Sequence, residues 1–401
     1  MIKVYFAVNE SGVNYWRGKV PGFELRRQGL ADIRMFNVYD YDLKQVEKDI
    51  SESDVVYMPC ATGIEALLEI IQYIKMGKPV VVDYDDNLFD CHPYNPSYAT
   101  LGLYPVTVTN SDGSEVKLWE DQRHGFSLED NRKRYYSHID ILNTANQVTT
   151  TTQKLRSSLL ESVDRDPSDF NIIPNSINFN MFKPFNQKKR TGKKIRIGWT
   201  ASDSHIVEGR FVMRVLNGLM KKRSDFEFVI LGNIEKLRFV AKDFPVEWHE
   251  FTDISIYPLK LASLELDIAI CPLEDHSFNL CKSALKWSEF SALRIPSVVS
   301  DLDPYFCVRD GIDGLKAQNE EVFIERIEAL MDDSNLRQKI SRNAFDRNYE
   351  EFNVEHVAKK WLEVFERSII KPHQVTYKGQ PLIPTGERHL IGQPIDARRL
   401  I

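Results

Sequence analysis

Short apolar runs alternate with amphipathic stretches along most of this 401-residue chain, and that alternation limits the possible folds more than any other feature. Runs rich in Val and Ile are typical of strands buried on both faces, and the intervening stretches have helical spacing. Such alternation favours parallel sheets covered by helices, so we predict an α/β protein. The predicted strands are 2–8, 32–38, 54–59, 79–83, 147–151, 194–198, 226–231, 246–250, 266–271 and 295–299. The predicted helices are 19–29, 43–51, 61–76, 135–145, 205–222, 257–264, 280–293, 320–333, 336–350 and 354–369.

The alternation breaks near the middle of the chain and then restarts, which predicts two Rossmann-like, doubly wound domains facing across a cleft. We expect a first domain at 1–174 with an irregular insertion at about 91–134, where Pro, Tyr, Asn and acidic residues are frequent. A long ordered loop in a compact domain is more often a lid or binding loop than filler. A linker at 175–193 leads to a second domain at 194–353, and a final helix and tail at 354–401 are expected to cross back to the first domain.

Charge and cysteine usage narrow the functional classes. The formal net charge of −6 provides no overall attraction for a polyanion, so nucleic-acid binding would need a local basic groove. The five cysteines are scattered without C-x-x-C spacing, which favours a reducing, cytoplasmic compartment and disfavours a disulfide framework or a zinc site. No run of eighteen apolar residues is present, and the start resembles a first strand rather than a signal peptide.

In open parallel sheets, ligands bind in loops beyond the carboxyl ends of the strands, and four such loops here carry unusual polar residues. The first loop, 9–21, follows the first strand and holds Asn14, Tyr15 and Arg17. Its small residues would let backbone amides approach a ligand, and Arg17 would hold an anion. The alternative is a solvated loop that leads into a helix begun by Pro.

The second loop, 83–90, places three carboxylates, Asp83, Asp85 and Asp86, at the end of a buried strand. Carboxylates in such a place are costly unless they are paired or solvated in a cleft. Hydroxyl binding or helix N-capping explains them better than a metal site, because the same D-x-D spacing recurs elsewhere in the chain.

The third loop, 197–205, joins the first strand of the second predicted domain to its helix. Gly198 relieves crowding, and the hydroxyls of Thr200, Ser202 and Ser204 can donate to phosphate oxygens at a helix N-terminus. Plain helix capping is the alternative. The candidate ligand-binding residues of this loop are Gly198, Trp199, Thr200 and Ser202.

The fourth loop begins at 268 and leads into the predicted helix 280–293. Lys282, Lys286 and Glu289 are spaced i, i+4 and i+7, which puts them on one face of such a helix. Two ammonium groups at the positive end of a helix dipole suit a diphosphate, and Glu289 would accept hydrogen bonds from ribose hydroxyls. An exposed face with salt bridges is the alternative. The candidate residues of this loop are Asn279, Lys282, Ser283, Lys286 and Glu289.

Taken in order, these motifs resemble GT-B glycosyltransferases of group 1, the family 4-like enzymes, in a bacterial and phage branch. Ile173-Pro-Asn-Ser-Ile-Asn178 is similar to the turn between the two domains of that family. The block 272–296 resembles its donor-binding segment, and 197–202 and 82–89 resemble the same branch. Tyr15-x-Arg17-x-x-x-Pro21 is loosely similar. The resemblance covers roughly residues 1–370 in the family's order.

The resemblance implies a glycosyltransferase that moves a sugar from a nucleotide-sugar donor, linked to UDP or GDP, to an acceptor hydroxyl. The second domain would hold the donor and the first the acceptor, with retention of anomeric configuration and no required metal or other cofactor. Glu289 matches the second glutamate of the family's E-x7-E motif, which contacts ribose, whereas the first glutamate falls on Cys281. The implied catalytic residues are Asp83, Asp85, Asp86 and Lys282.

The sequence leaves the acceptor and the activity open. The acceptor is a polysaccharide, a lipid-linked sugar, a small metabolite or, as in some phage enzymes, a modified DNA base, although the acidic charge weighs against DNA. A module that binds nucleotide sugar or glycan without catalysis is a second interpretation, supported by Cys281 in place of the first glutamate. An α/β epimerase of the same architecture is a third.

Overall fold

A computed structural model of the protein describes residues 1–9, 11–35, 42–182, 194–202, 205–232, 245–370 and 388–391. Strands and helices alternate through these residues. The strands are β1 Ile2–Phe6, β2 Ala31–Met35, β3 Val55–Pro59, β4 Val80–Tyr84, β5 Val106–Thr109, β6 Glu115–Trp119, β7 Gln147–Thr150, β8 Phe170–Ile172, β9 Ile195–Thr200, β10 Phe226–Leu231, β11 Val246–His249, β12 Ile268–Cys271, β13 Ser297–Ser300, β14 Leu315–Ala317 and β15 Arg388–Ile391.

The helices of the described residues cover the sheets and join their strands. The α-helices are α1 Gly12–Asn14, α2 Val20–Arg27, α3 Leu43–Glu52, α4 Gly63–Lys75, α5 Tyr98–Leu101, α6 Leu128–Thr144, α7 Gln153–Leu160, α8 Phe179–Phe182, α9 Ile206–Met220, α10 Tyr257–Ser263, α11 Ser277–Leu280, α12 Leu285–Ala292, α13 Glu320–Asp332, α14 Ser334–Phe352 and α15 Val354–Ile370. A π-helical turn covers Tyr15–Lys19, and 3-10 turns cover Pro167–Asp169 and Asp303–Tyr305.

Two six-stranded sheets dominate the fold, and their strands pair in parallel. The strand orders are β2-β1-β3-β4-β7-β8 and β11-β10-β9-β12-β13-β14. In each sheet the chain adds strands first on one side of the starting strand and then on the other, which is the doubly wound arrangement. The predicted α/β class with two doubly wound sheets is therefore confirmed.

The central strands are buried along sequences that are mostly apolar. Every residue of β3 and of β4 is buried, as expected for strands with helices on both faces of the sheet. In the first sheet the Phe6 ring lies 4.7 Å from the Tyr57 ring between centroids. Phe365 of α15 lies 5.7 and 5.8 Å from these two rings, so the last helix completes this core.

The described residues divide into two compact units that are interleaved along the sequence. Unit 1 takes Met1–Asn9, Ala31–Ile172 and Glu363–Ile401, and unit 2 takes Glu10–Leu30 and Ile173–Leu362. These boundaries differ from the predicted domains, most clearly in the segment that follows β1.

The segment after β1 groups with unit 2 because its apolar side chains enter the core of that unit. Trp16 and Val20 belong to one buried cluster with Trp287 and Phe290. The local sequence does not predict this packing, because Trp287 and Phe290 lie more than 260 positions away. Parts of the predicted linker and tail lie outside the described residues, namely 183–193, 371–387 and 392–401. The predicted cleft between two domains stays a prediction.

The segment predicted to be irregular, 91–134, contains regular structure. β5 and β6 form an antiparallel hairpin, and Gly113 in the connecting turn has a φ of 80°, a left-handed conformation that glycine adopts without strain. β15 pairs in parallel with β5, which makes a three-stranded sheet. Helix α6 also begins inside the segment, at Leu128. The richness in Pro and Asn therefore marks the turns of this segment rather than the whole of it.

Candidate functional site

Two of the predicted loops meet at one edge of the second sheet, within unit 2. The strand order reverses between β9 and β12, because β10 and β11 lie on one side of β9 and β12 on the other. Open parallel sheets bind ligands beyond the carboxyl ends of the strands at such a reversal. β9 ends at Thr200 and β12 at Cys271, and the chain then runs to α9 and α11. This edge of unit 2 is the candidate site.

The predicted helix 280–293 is in fact two helices, α11 and α12, separated by residues 281–284. Lys282 lies in this break, so the prediction that it shares a helical face with Lys286 and Glu289 is wrong. Lys286 and Glu289 do share α12, one turn apart, with Lys286 in the first turn. The first turn of a helix leaves backbone N–H groups without intrahelical partners, which favours negative charge there.

The Lys286 side chain is half-buried and contacts a histidine from the other loop. Its Nζ lies 3.0 Å from Nε2 of His205, which precedes α9. Burial lowers the pKa of Lys286 to about 8; the nearby charge of Lys282 adds to this effect, and the carboxylate of Glu208 opposes it. The Lys282 ammonium itself lies 4.7 Å from the centre of the Phe278 ring. The charge of Lys282, in the break before α12, therefore acts on Lys286 in its first turn.

His205 and Glu208 continue the contact beyond Lys286. Nδ1 of His205 lies 3.6 Å from Oε2 of Glu208, and both side chains are buried. Burial and the neighbouring Lys286 charge together lower the pKa of His205 to about 4, against the opposing effect of Glu208, so the ring is neutral at pH 7. Burial acts to raise the pKa of Glu208, but the contact with His205, a backbone hydrogen bond and the charge of Lys286 lower it below its ordinary value. The carboxylate is therefore charged at pH 7.

Glu208 is also hydrogen-bonded to the loop that follows β12. Its Oε1 accepts from the side-chain amide of Asn279 at 2.7 Å and from the backbone N–H of Glu274 at 3.4 Å. Asn279, a predicted ligand residue, is thus used within the protein to connect this loop to α9.

Glu289 is buried, and its partner is a tyrosine. The Tyr257 hydroxyl donates to Oε2 of Glu289 at 3.0 Å, and both side chains are 5% exposed. Burial raises the pKa of Glu289 to about 7, against the opposing effects of Tyr257 and Lys286. A carboxyl group with a pKa near neutrality can both accept and donate hydrogen bonds at physiological pH.

The end of β9 holds the residues predicted from the third loop. A Cβ atom on Gly198 would lie 2.2 Å from a methyl group of Leu266, so packing explains this glycine. Trp199 and Thr200 are buried, whereas Ser202 is exposed. Ser204 lies outside the described residues.

The first predicted loop is helical, and its Arg17 is buried in unit 2. The Arg17 guanidinium donates to the backbone oxygen of Ile173 at 2.7 Å and to Oδ1 of Asn175 at 3.3 Å, and it lies 4.9 Å from the Trp361 ring. The amide of Asn175 in turn donates to the Ser283 hydroxyl at 2.8 Å. Arg17 is therefore used in contacts within the protein, and Asn175 connects it to Ser283 in the break before α12.

Asn14 and Tyr15 also make contacts within unit 2. The Asn14 side chain is buried and donates to the Ser11 hydroxyl at 2.8 Å. The Tyr15 hydroxyl donates to the sulfur of Met181 at 3.2 Å. These contacts of Asn14 and Tyr15 do not indicate an anion site.

The second predicted loop belongs to unit 1, where its carboxylates surround a cysteine. Asp83 is fully buried and accepts a hydrogen bond from the Thr149 hydroxyl at 2.5 Å, whereas Asp85 and Asp86 are half-buried. The Cys60 thiol lies 3.7 Å from Oδ1 of Asp85. Burial raises the pKa of Cys60 well above its ordinary value, and the charges of Asp85, Asp83 and Asp86 add to the effect. The charges of all three aspartates therefore act on the Cys60 thiol, and the catalytic role predicted for them stays a prediction.

Metal-ligand clusters and membrane-spanning helices are both absent from the described residues. In the part of the chain that the structure describes, no group of three or more His, Cys, Asp or Glu side chains is arranged to hold a metal ion. Within the described ranges, every helix is too short or too polar to cross a bilayer.

Comparison with known proteins identifies the fold. No protein-family model and no curated protein sequence matches the chain. A glycosyltransferase from Rickettsia africae is structurally similar, with a TM-score of 0.62 and 13% identity over 93% of this chain and 100% of that one. The Anabaena protein Alr3699/HepE, solved with UDP and glucose, has a TM-score of 0.59 and 12% identity over 90% and 98% of the two chains. Sucrose-phosphate synthase from Thermosynechococcus elongatus has a TM-score of 0.60 and 12% identity over 91% and 98%.

These similarities define the class of fold. Two doubly wound parallel sheets and the likeness to these structures make this a GT-B fold, the fold that the sequence resemblance implies.

The sequence analysis does not predict a role in the site for four of its residues: Asn175, His205, Glu208 and Tyr257. His205 and Glu208 are three positions apart at a helix start, a spacing that ordinary capping explains equally well. The contact of His205 with Lys286 spans 81 positions, and that of Tyr257 with Glu289 spans 32. Only the folded arrangement reveals these partners.

Proposed function

We propose that the protein is a glycosyltransferase that moves a sugar from a nucleotide-sugar donor to an acceptor hydroxyl. The GT-B fold supports this class, since one similar structure is a glycosyltransferase and another was solved with UDP and glucose. The observation that carries the proposal is the half-buried ammonium group of Lys286, in the first turn of α12 where the strand order reverses.

The charge of this site suits a nucleotide sugar. Breaking the bond between the sugar and the phosphate leaves negative charge on the departing diphosphate. Lys286, Lys282 and the backbone N–H groups at the start of α12 would stabilise that charge without requiring a metal ion. The loss of one such contact typically raises the barrier by about 2–4 kcal/mol. We assign Lys282 and Lys286 to the diphosphate, with Ser283, Thr200 and Ser202 as hydroxyl donors.

The nucleotide is proposed to contact Glu289. The Tyr257 hydroxyl holds one oxygen of this buried carboxyl group, which limits the directions in which it can accept from ribose hydroxyls. We favour UDP over GDP as the carrier, because a similar structure contains UDP-glucose.

The acceptor is proposed to bind unit 1. Asp85 and Asp86 are half-buried, whereas Asp83 is fully buried and hydrogen-bonded to Thr149, so Asp85 or Asp86 is better suited to take a proton from a hydroxyl. We propose a glycan, lipid-linked sugar or small-molecule acceptor. A modified DNA base is disfavoured by the net charge of −6. Retention of configuration is proposed from the family resemblance.

The test is an assay of the purified protein with a panel of UDP- and GDP-sugars, with and without acceptors, read by nucleotide release and product analysis. Replacing Lys282, Lys286 or Glu289 with Ala should each lower turnover by roughly tenfold or more. Lys260→Ala is the matched control, because Lys260 also contacts a histidine, His249, but lies on α10. Its turnover should equal that of the wild type.

Each alternative activity gives a different result in this assay. Nucleotide binding without any turnover would indicate a binding module. The presence of Cys281 in place of the motif's first glutamate supports that alternative. Conversion of a UDP-sugar without an acceptor would indicate an epimerase. Full turnover by the Lys286→Ala variant would contradict the assignment of the site, even if transfer itself were observed.

A further inference from the structure

Lys286, His205 and Glu208 form a continuous series of polar contacts within unit 2. We propose that His205 and Glu208 are positioning residues of the donor site, which orient the Lys286 ammonium group and keep it charged for a diphosphate. The inference rests on the proposed function, because it takes Lys286 as the group that binds the donor. It adds two residues that neither the family motif nor the sequence pattern assigns.

The geometry fixes the proton of the His205 ring. An ammonium group can only donate, so Nε2 of His205, 3.0 Å from Nζ of Lys286, acts as the acceptor. The ring proton of the neutral imidazole is then on Nδ1. Nδ1 lies 3.6 Å from Oε2 of Glu208, and this carboxylate is the group that favours a proton on that side. At this distance the contact is electrostatic rather than a hydrogen bond, and the Glu208 charge favours the tautomer that lets His205 accept from Lys286.

Glu208 is held in place independently of Lys286. Its other oxygen accepts from the Asn279 amide at 2.7 Å and from the backbone N–H of Glu274 at 3.4 Å, and the residue is 3% exposed. A lysine side chain has large rotamer freedom, which it loses when it is fixed against a ligand. Because His205 restricts Lys286 beforehand, less of that entropy is lost on donor binding.

The titratable groups around Lys286 come from four parts of the fold. Glu208 and the contacting His205 belong to the start of α9, Lys282 to the break before α12, Cys271 to β12 and Glu289 to α12 itself. Burial and Lys282 lower the pKa of Lys286, and Glu208 is the strongest group that raises it. Neutralising Glu208 should therefore release the Lys286 proton at a lower pH.

The chain contains a matched control of the same three residue types. Nδ1 of His249 lies 3.0 Å from Nζ of Lys260, and its Nε2 lies 2.6 Å from Oε1 of Glu247. This second set lies at the edge strand β11 and on α10, and Glu247 is 43% exposed and paired with Arg196. Substitutions in it test the general effect of losing such contacts, away from the strand reversal.

The experiment is calorimetric titration of the full-length protein with UDP between about pH 6.5 and pH 9.5. Wild-type affinity should fall as pH rises above about 8, where Lys286 loses its proton. Glu208→Gln keeps the shape and the hydrogen-bond acceptor but removes the charge, so the fall should begin at a pH lower by about one unit. His205→Ala should weaken UDP binding by about tenfold at pH 7, and His205→Gln, whose amide oxygen can accept from Lys286, should restore part of the loss.

The outcomes separate this inference from the proposed function. The controls Glu247→Gln and His249→Ala should bind UDP as the wild type does at every pH. If the wild type binds neither UDP nor, in the same titration, GDP, the proposed function fails. If the wild type binds UDP but Glu208→Gln leaves its pH dependence unmoved, or His205→Gln binds no better than His205→Ala, the inference is overturned. Circular dichroism of each variant identifies any that fail to fold, and the isosteric Glu208→Gln change keeps the test decisive.

Discussion

At the scale of single residues, Glu289 and Lys286 have pKa values near neutrality for the same reason, removal from water. Burial raises the pKa of Glu289 to about 7 and lowers that of Lys286 to about 8. One pKa unit corresponds to about 1.4 kcal/mol of difference between the two protonation states. Both residues therefore reduce the stability of unit 2 when they are charged, which is common for side chains retained for binding rather than for folding.

Replacing Glu289 with Gln should remove a pH dependence of stability. Between about pH 4.5 and pH 7, the folded protein keeps a proton on Glu289 that the unfolded chain has lost. The stability of the wild type should therefore fall as pH rises through this window, by up to about 1.4 kcal/mol per pH unit. Urea unfolding at several pH values in the window measures this slope.

The glutamine variant should show a shallower slope than the wild type, and Glu250→Gln is its control. Glu250 is exposed, so its substitution should leave the slope unchanged. Equal slopes in the wild type and the Glu289→Gln variant would contradict a raised pKa for this carboxyl group.

At the scale of elements, the sequence predicts structure well where the local pattern and the tertiary contacts agree. β10 occupies the predicted residues 226–231, and its uninterrupted apolar part, 228–231, is the part that is buried. The helix predicted at 280–293 is broken at residues 281–284, because this segment contacts residues far away in the sequence. The hydrogen bond from Asn175 to Ser283 is one such contact. The lysines and Glu289 could be found from their loop position, but His205 and Tyr257 could not, since both depend on contacts between separate elements.

Asn175 is expected to support the break before α12. Asn175→Ala removes the hydrogen bond to Ser283 and should weaken UDP binding by about fivefold, the effect of one neutral hydrogen bond of about 1 kcal/mol. Ser283→Ala and the double variant complete a double-mutant cycle measured by UDP affinity. The losses should be less than additive, because both variants remove the same contact.

The control for this cycle is Asn180→Ala, a substitution of an exposed asparagine five positions further along the chain. It should bind UDP with wild-type affinity. Strictly additive losses for Asn175 and Ser283 would show that their hydrogen bond does not support the donor site.

At the scale of the whole molecule, the two units are not consecutive stretches of sequence. Residues 10–30 belong to unit 2, and the chain from Glu363 onward returns to unit 1. The predicted boundaries miss this because a pattern of strands and helices shows where elements lie but not which core each of them enters. Trp16 and Val20 could be recognised as apolar, yet their partners in unit 2 only become evident from the packing.

This interleaving predicts the behaviour of fragments. A fragment of residues 173–362 should unfold at a lower temperature than the same fragment joined to residues 10–30 by a flexible linker, because Trp16 and Val20 fill its core. Burial of such a side chain contributes about 1.5–3 kcal/mol. Thermal unfolding followed by circular dichroism compares the two. The joined fragment carrying Trp16→Ala and Val20→Ala is the control and should lose most of the gain.

The division of the chain also has a consequence during synthesis. The segment that bears Trp16 and Val20 is made before its partner segment, and 142 residues, 31 to 172, are added between the two. At about 5–20 residues per second, that delay is roughly 7–28 s. The core of unit 1 is also completed late, since Phe365 is made more than 300 residues after Tyr57 and only then packs on Phe6 and Tyr57. The nascent polypeptide therefore presents these apolar segments to chaperones during both intervals.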